Sequence, residues 1–365
     1  MTAASSCAAI DSACRPGYPA GVTSFSSRII RWQQRHGRHA LPWQATRDPY
    51  RIWLSEVMLQ QTQVPMVIPY FERFLARFPD LSALASADED TVLALWSGLG
   101  YYSRARNLHA AARVIVESHQ GAFPATAEAI AKLPGIGRST AAAIAALAFG
   151  QHGAILDGNV KRVLARHGGI DGWPGNKKVE GELWQLAERY LPQAGIEAYT
   201  QGMMDLGALA CTRSQPACSA CPVNIDCAAF TQNRVSELPT PRPRKNLPEK
   251  EVVLLLLLDR GELMLEKRPS RGIWGGLWSL PELAPEADAA VHCRDRFGST
   301  PVAQQTLPKF SHSFTHFKLH IQPVRLQLSS RGVSRPGEIW LPPDDALHTG
   351  LPAPVRKLVI QLTGP

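Results

Sequence analysis

Four cysteines constrain this chain more than any other feature. Cys211, Cys218, Cys221 and Cys227 follow the spacing C-x6-C-x2-C-x5-C within 17 residues, while the remaining three, Cys7, Cys14 and Cys293, are scattered. Four thiols this close in sequence can converge on one metal centre, as an all-thiolate zinc site or an iron–sulfur cluster; spacing alone does not choose between them. Pro216 and Pro222, with few bulky apolar residues between the cysteines, suit a loop wrapped around a metal. The odd total of seven cysteines, and an N-terminus without early Lys or Arg and with Asp11 where an apolar signal core would sit, argue against a disulfide framework and for a reducing, cytoplasmic compartment.

The chain around this loop is too long for one domain at 365 residues, and two or three are expected. No apolar run approaches 18 residues; Ala141–Phe149, the longest, stops at Gly150, so no membrane-spanning helix is expected. Residues 1–24 are Ala/Ser-rich and aperiodic and read as a tail. Residues 25–232 carry helical periodicity throughout and predict an all-α domain. Within it Asp48-Pro49 reads as an N-cap followed by proline at the first helical position, opening a helix expected to run through about Val64. Residues 233–250, with four prolines and five basic residues, read as an extended basic linker. Beyond it the period changes. Glu251–Leu258 and Glu262–Lys267 flank Asp259-Arg260-Gly261 as a hairpin, Phe317/Leu319/Ile321 and Val324/Leu326/Leu328 alternate on either side of Pro323, and Pro354–Leu362 reads as a closing helix. Residues 251–365 are therefore expected to form a separate α/β or α+β domain.

Three further patterns carry chemistry. In residues 126–149, Leu133-Pro134-Gly135-Ile136-Gly137-Arg138-Ser139 joins two helices through Gly135 and Gly137. Such a turn lets a partner approach the backbone closely and aims free N–H groups at an anion, as in a helix–hairpin–helix holding DNA phosphate. The net charge of +8 agrees with a polyanionic partner. Glu56 shares one expected helix side with Ile52, Leu59 and Gln63, an apolar setting that favours a protonated carboxyl able to act as general acid. Asp157, in Asp157-Gly158-Asn159, precedes the helix of Val160, Val163 and Leu164; the same position is the one a helix N-cap requires, so a structural role reads equally well from the residues alone.

Taken together, Leu54–Thr62, Gly98-Leu99-Gly100-Tyr101-Tyr102-Ser103-Arg104, Leu133–Thr140, Leu156–Leu164 and the four-cysteine loop resemble the MutY-type adenine DNA glycosylases of the helix–hairpin–helix superfamily, from about Phe25 to the C-terminus. The resemblance implies two α-helical subdomains with DNA in a cleft between them, a [4Fe–4S] cluster on Cys211, Cys218, Cys221 and Cys227, and a C-terminal Nudix-like α/β domain. It implies double-stranded DNA containing adenine opposite 8-oxoguanine or guanine as the partner, bound by a monomer at the nucleoid, with the adenine flipped into a pocket. By the same resemblance, Glu56 is the general acid at adenine N7, Asp157 stabilises or attacks the sugar cation, and Asn159 positions sugar and water. Trp43 and Gln44 edge the adenine pocket. Gln61 and Tyr101, with Leu99 beside the latter, enter the duplex near the orphan purine, Gly135 and Gly137 hold phosphate, and Phe310-Ser311-His312 touches 8-oxoguanine.

Position 139 discriminates within the superfamily. Relatives that also cut the strand place a lysine there to form a Schiff base, and here it is Ser139, so the resemblance implies base removal without true lyase activity. Lys132 lies on the other side of the hairpin and is not a substitute. Ser139 and the extra C-terminal domain count against an endonuclease III-like lyase; the pairing of Glu56 with Asp157 counts against a non-catalytic DNA-binding scaffold. Gly276 and Glu282 keep the first spacing of a hydrolytic Nudix motif, but Ala290-Val291 stand where Arg-Glu is needed, so no pyrophosphatase chemistry is expected.

Overall fold

Asp48 and Asp157 each fold the chain locally as their positions in the sequence require. In the computed structural model, which describes residues 24–243, 246–331 and 334–363, both side chains cap helices: Asp48 accepts the Tyr50 N–H at 2.9 Å and Asp157 the Val160 N–H at 2.7 Å. Residues 1–23, with Cys7 and Cys14, and Arg244 and Lys245 of the linker lie outside the described residues. In chain order the helices are α1 (Phe25–His36), α2 (Pro49–Leu59), α3 (Val64–Arg77), α4 (Leu81–Ser86), α5 (Glu89–Trp96), α6 (Ser103–Ser118), α7 (Ala127–Ile130), α8 (Arg138–Phe149), α9 (Gly158–Gly168), α10 (Lys177–Arg189), α11 (Ile196–Asp205) and α12 (Ala228–Thr231). Strands β1 (Glu249–Asp259), β2 (Glu262–Lys267), β3 (Trp278–Ser279) and β4 (Glu282–Leu283) follow, then α13 (Ala289–Phe297), β5 (Pro301–Thr306), β6 (Phe310–Ser313), β7 (Lys318–Leu328), β8 (Glu338–Leu341), α14 (Pro343–Ala346) and α15 (Ala353–Ile360).

Two compact units result. One takes the chain up to Arg47 and then Arg138–Pro243; the other takes Asp48–Gly137 and the chain after Pro243. The first is all-helical. Its core joins Phe25 and Ile29 of α1, the buried alanines of α8, Val160, Val163 and Leu164 of α9, and Met203 and Leu206. A π-helical turn, Leu206–Ala210, follows α11 and delivers Cys211; its Gly207 lies so close to Asn159 that a Cβ would sit 2.6 Å from the Asn159 Cβ.

The second unit holds α2–α7 and the sheet domain. The sheet runs β3-β2-β1-β7-β5, with β4 beside β1, β6 beside β7 and β8 beside β2; β1 and β7 are parallel and the other pairs antiparallel. Leu254–Leu258 are all buried, since β1 is central and covered on both faces, which explains an unbroken leucine run where alternation would mark a half-exposed strand. Pro323 does not divide two strands. It sits inside β7 at the point where the antiparallel neighbour changes from β6, ending at Ile321, to β5, starting at Val324, so its missing N–H costs no ladder bond there.

The helix expected from Asp48 through Val64 is two helices. It stops at Leu59, and α3 starts at Val64. Gln61 adopts φ +59°, which no helix continues through. The carbonyls left over at the end of α2 are taken by a side chain from α6: Arg104 donates to Val57 O (2.9 Å), Met58 O (2.8 Å) and Gln60 O (2.6 Å). Gln63 is consequently the N-cap position of α3 and does not share the helix side of Glu56.

Candidate active site and cysteine loop

Asp157 stands at the head of α9, partly accessible but closely surrounded. Burial pushes its carboxyl pKa up; the Val160 and Asn159 N–H groups, then Arg162 and Lys161, pull the other way. Its neighbour Asn159 has its side-chain oxygen fixed by Arg162 at 2.9 Å. Ser139, on α8, accepts the Leu156 N–H at 2.8 Å and so pins the residue preceding Asp157. Asp157, Asn159 and Ser139 thus belong to one local construction. Trp43 and Gln44 lie in the same unit. Trp43 is buried; Gln44 accepts the Leu41 N–H at 3.2 Å through its oxygen, and its buried amide nitrogen has no hydrogen-bond partner within the protein. A buried donor left over in this way is the kind of group a bound base would satisfy.

The four cysteines ring a cavity of about 390 Å³ with Val163, Arg166, Leu206 and Val223 among its other walls. Close-packed interiors do not keep a space of this size without an occupant. All four are free thiols. Burial pushes Cys221 up to about 12, and the neighbouring cysteine sulfurs add to the rise, so a positively charged centre is what would hold these groups as thiolates. Among the described residues no three His, Cys, Asp or Glu side chains are grouped to hold a single metal ion. The donor set and the cavity therefore fit a polynuclear cluster. Helix α9 holds the loop: Arg162 donates to Cys211 O (2.7 Å) and Gly207 O (2.6 Å), and Arg166 to Thr212 O (2.7 Å), Leu238 O (2.7 Å) and the Cys211 sulfur (3.4 Å). The sequence reading missed both arginines. Their signal is the spacing of four on the helix that Asp157 opens, which places them on one face.

The second unit carries Glu56, Gln61, Leu99, Tyr101, Gly135, Gly137 and Phe310-Ser311-His312. Glu56 is half-buried on α2, amid the buried Trp53, Leu54, Ser55 and Val57. Gln61 and Tyr101 are two of the six described non-glycine residues at positive φ, at +59° and +50°, and both are exposed. Left-handed backbone at two outward side chains is a strained arrangement that a structure keeps where it presents a group. Arg104 brings their segments together. Besides the α2 carbonyls it binds Leu99 O (3.3 Å), Gly100 O (3.1 Å) and the Thr62 hydroxyl (3.2 Å), and lies over the Tyr101 and Trp96 rings. Gly98 must be glycine, since φ is +105° and a Cβ would collide with the Tyr70 hydroxyl. The hydroxyls flanking the loop both donate to the Leu351 carbonyl of the C-terminal domain, Ser97 at 2.9 Å and Tyr102 at 3.1 Å. In the hairpin, Gly135 has φ +75° and no room for a Cβ against Asn107, while Gly137 faces open space. Phe310, Ser311 and His312 lie on β6, not in an isolated turn; burial lowers the His312 pKa beside Trp274 and Phe314.

Residues 54–189 match the HhH-GPD superfamily base excision DNA repair proteins, and residues 252–361 match the NUDIX domain. Among solved structures, a thermostable thymine-DNA glycosylase aligns with a TM-score of 0.51 at 29% identity, over 57% of this chain and 95% of its own. The helical core, the hairpin and the Nudix-like sheet thus define a DNA N-glycosylase of base excision repair. An adenine DNA glycosylase of Buchnera aphidicola from Acyrthosiphon pisum is 37% identical over 338 residues, covering 92% of this chain and 96% of its own; that of Mus musculus is 34% identical over 401 residues, covering 93% and 78%. The chain belongs to the adenine DNA glycosylase family. Among the described residues no helix is long and apolar enough to cross a membrane.

Proposed function

We propose that this enzyme removes adenine paired with 8-oxoguanine or guanine in double-stranded DNA and leaves the strand uncut. The observation that carries the chemistry is Asp157. It is a carboxylate closely enclosed in protein, where its field acts through little water, and fixed by the Val160 N–H and the Ser139–Leu156 bond. Glu56 protonates adenine N7. The C1′–N9 bond then breaks, with its electron pair leaving on the base. Asp157 stabilises the sugar cation until water, positioned by Asn159, adds to C1′ and gives up a proton. Asn159 is suited to this because Arg162 fixes which way its amide faces. The free amide nitrogen of Gln44 meets the flipped base, with Trp43 as its wall. Gln61 and Tyr101 enter the duplex, and the open backbone at Gly137 receives phosphate. Ser139 offers a hydroxyl already engaged with Leu156, and no amine for a Schiff base.

The four cysteines are the ligands of a [4Fe–4S] cluster, which, when bound, ties the loop to α9 and leaves proton and base chemistry to the side chains named above. Protein purified without oxygen is expected to contain about four iron and four sulfide per chain, the stoichiometry of the cluster. Stoichiometric zinc without iron contradicts this assignment.

An A·T pair also contains adenine, so the choice of substrate rests on the opposite base. Phe310-Ser311-His312 reads the edge at which 8-oxoguanine differs from guanine, O8 and N7–H. A chain ending after residue 243 is expected to keep removing adenine while losing most of its preference for A·8-oxoguanine over A·G, on the order of 1–3 kcal/mol for a lost specific base contact. Equal preferences in the truncated and full chains, measured by single-turnover release, would place lesion recognition elsewhere.

A further inference from the structure

Ser311 sits directly opposite His320 in the antiparallel pair of β6 and β7, so their side chains share a face of the sheet. The Ser311 Oγ is 2.9 Å from His320 Nδ1, and His320 Nε2 is 2.7 Å from a carboxylate oxygen of Glu249, at the start of β1. Lys318 lies 3.7 Å from the other Glu249 oxygen, and Lys309 is paired with Glu251 at 2.7 Å, which leaves Glu249 to His320 and Lys318. The His320 hydrogen bond, then Lys318, hold Glu249 below the usual carboxylate range, so it is ionised. An ionised carboxylate only accepts. The hydrogen between it and the ring therefore belongs to Nε2, and a neutral imidazole then offers Nδ1 as an acceptor. Ser311 has one proton to give, and it goes to Nδ1. What the exposed hydroxyl shows to a visitor is lone pairs alone.

That polarity suits one of two bases. Guanine presents N7 as an acceptor, and 8-oxoguanine presents N7–H as a donor. We propose that the row Glu249–His320–Ser311 locks the Ser311 hydroxyl as an acceptor, so that 8-oxoguanine gains a hydrogen bond where guanine meets opposed lone pairs. A hydroxyl free to rotate would serve both bases, because serine can donate or accept. His320 and Glu249 are thus positioning residues that act through Ser311, and selectivity comes as much from refusing guanine as from accepting the lesion. The inference rests on the reading that Ser311 meets the base opposite adenine.

The test measures the ratio of single-turnover adenine release from A·8-oxoguanine to that from A·G, in the full chain. Ser311→Ala and His320→Leu are each expected to lower the ratio by on the order of tenfold, the scale of one base-edge contact. The double variant should be no worse than Ser311→Ala alone, since His320 acts only through that hydroxyl. His320→Gln should recover most of the ratio, because its amide oxygen can accept from Ser311 while its NH2 donates to Glu249. Glu249→Ala, at an exposed position that folding tolerates, should lower the ratio in the wild-type background and not in Ser311→Ala. If Ser311→Ala lowers the ratio and neither His320→Leu nor Glu249→Ala does, the lock is wrong while the lesion-reading role of Ser311 stands. Losses that multiply in the double variant also overturn the lock. If Ser311→Ala leaves the ratio unchanged, lesion reading by Ser311 fails and the lock fails with it.

Discussion

Asp157→Asn is expected to abolish adenine release and, in the same protein, to raise the melting temperature. Asparagine keeps the side-chain oxygen that accepts the Val160 N–H, so the cap on α9 survives. The negative charge opposed to the sugar cation is lost, which should slow single-turnover release by roughly 10²–10³-fold or more, the scale of removing one preorganised electrostatic group. The stability gain follows from the raised carboxyl pKa, whose main cause is burial. A raised acid pKa means the folded state holds the proton more tightly than the unfolded state does. The ionised group therefore costs stability, and the cost grows as pH rises from the unfolded-state value through the folded one. At neutral pH the variant is relieved of that cost; in acid, below this window, the two proteins should converge. A thermal melt at neutral and acid pH checks the stability half. Near-normal release by the variant would reduce Asp157 to a helix cap.

Arg104→Leu should be the most damaging single change in the second unit. Arg104 is buried and serves five carbonyls and one hydroxyl on two segments. Leucine fills space but strands these acceptors. Two or three left unsatisfied, at about 1–3 kcal/mol each, give an expected loss of roughly 3–5 kcal/mol. Because the same guanidinium holds the turn bearing Gln61 and the loop bearing Tyr101, DNA affinity should fall further than overall unfolding explains. Arg104→Lys keeps the charge, but its single ammonium cannot span both segments, and it should be intermediate in both. Chemical denaturation and DNA titration under conditions where each variant is folded measure the two effects. A loss under about 1 kcal/mol for Arg104→Leu would mean the acceptors find other partners.

What the sequence disclosed and what it withheld follow the range of the interactions. Asp48-Pro49 and Asp157 were readable as helix starts because a cap is decided within three residues. The hairpin at Asp259-Arg260-Gly261 was readable for the same reason, and Arg260 and Gly261 both adopt positive φ there. The break after Leu59 was not, because the group that ends α2 comes from Arg104, more than 40 residues later. The parallel pairing of β1 with β7 depends on partners some 70 residues apart, and with it the placement of Glu249 and His320 beside Ser311. Helix α13 was missed because Ala289–Phe297 buries only Ala289, Cys293 and Phe297 and is otherwise polar. In the cysteine loop the spacing announced a metal site, while the arginines that hold it lie on a helix some 50 residues earlier.

Direct separation of the products of one turnover tests the central claim. The full chain, in excess over a duplex with a single A·8-oxoguanine pair, should release free adenine and leave the strand intact until alkali is added, with no borohydride-trapped protein–DNA adduct. An otherwise identical A·T duplex should release none. Release of a different base, strand cleavage without alkali together with efficient trapping, or equal release from A·T would contradict the account.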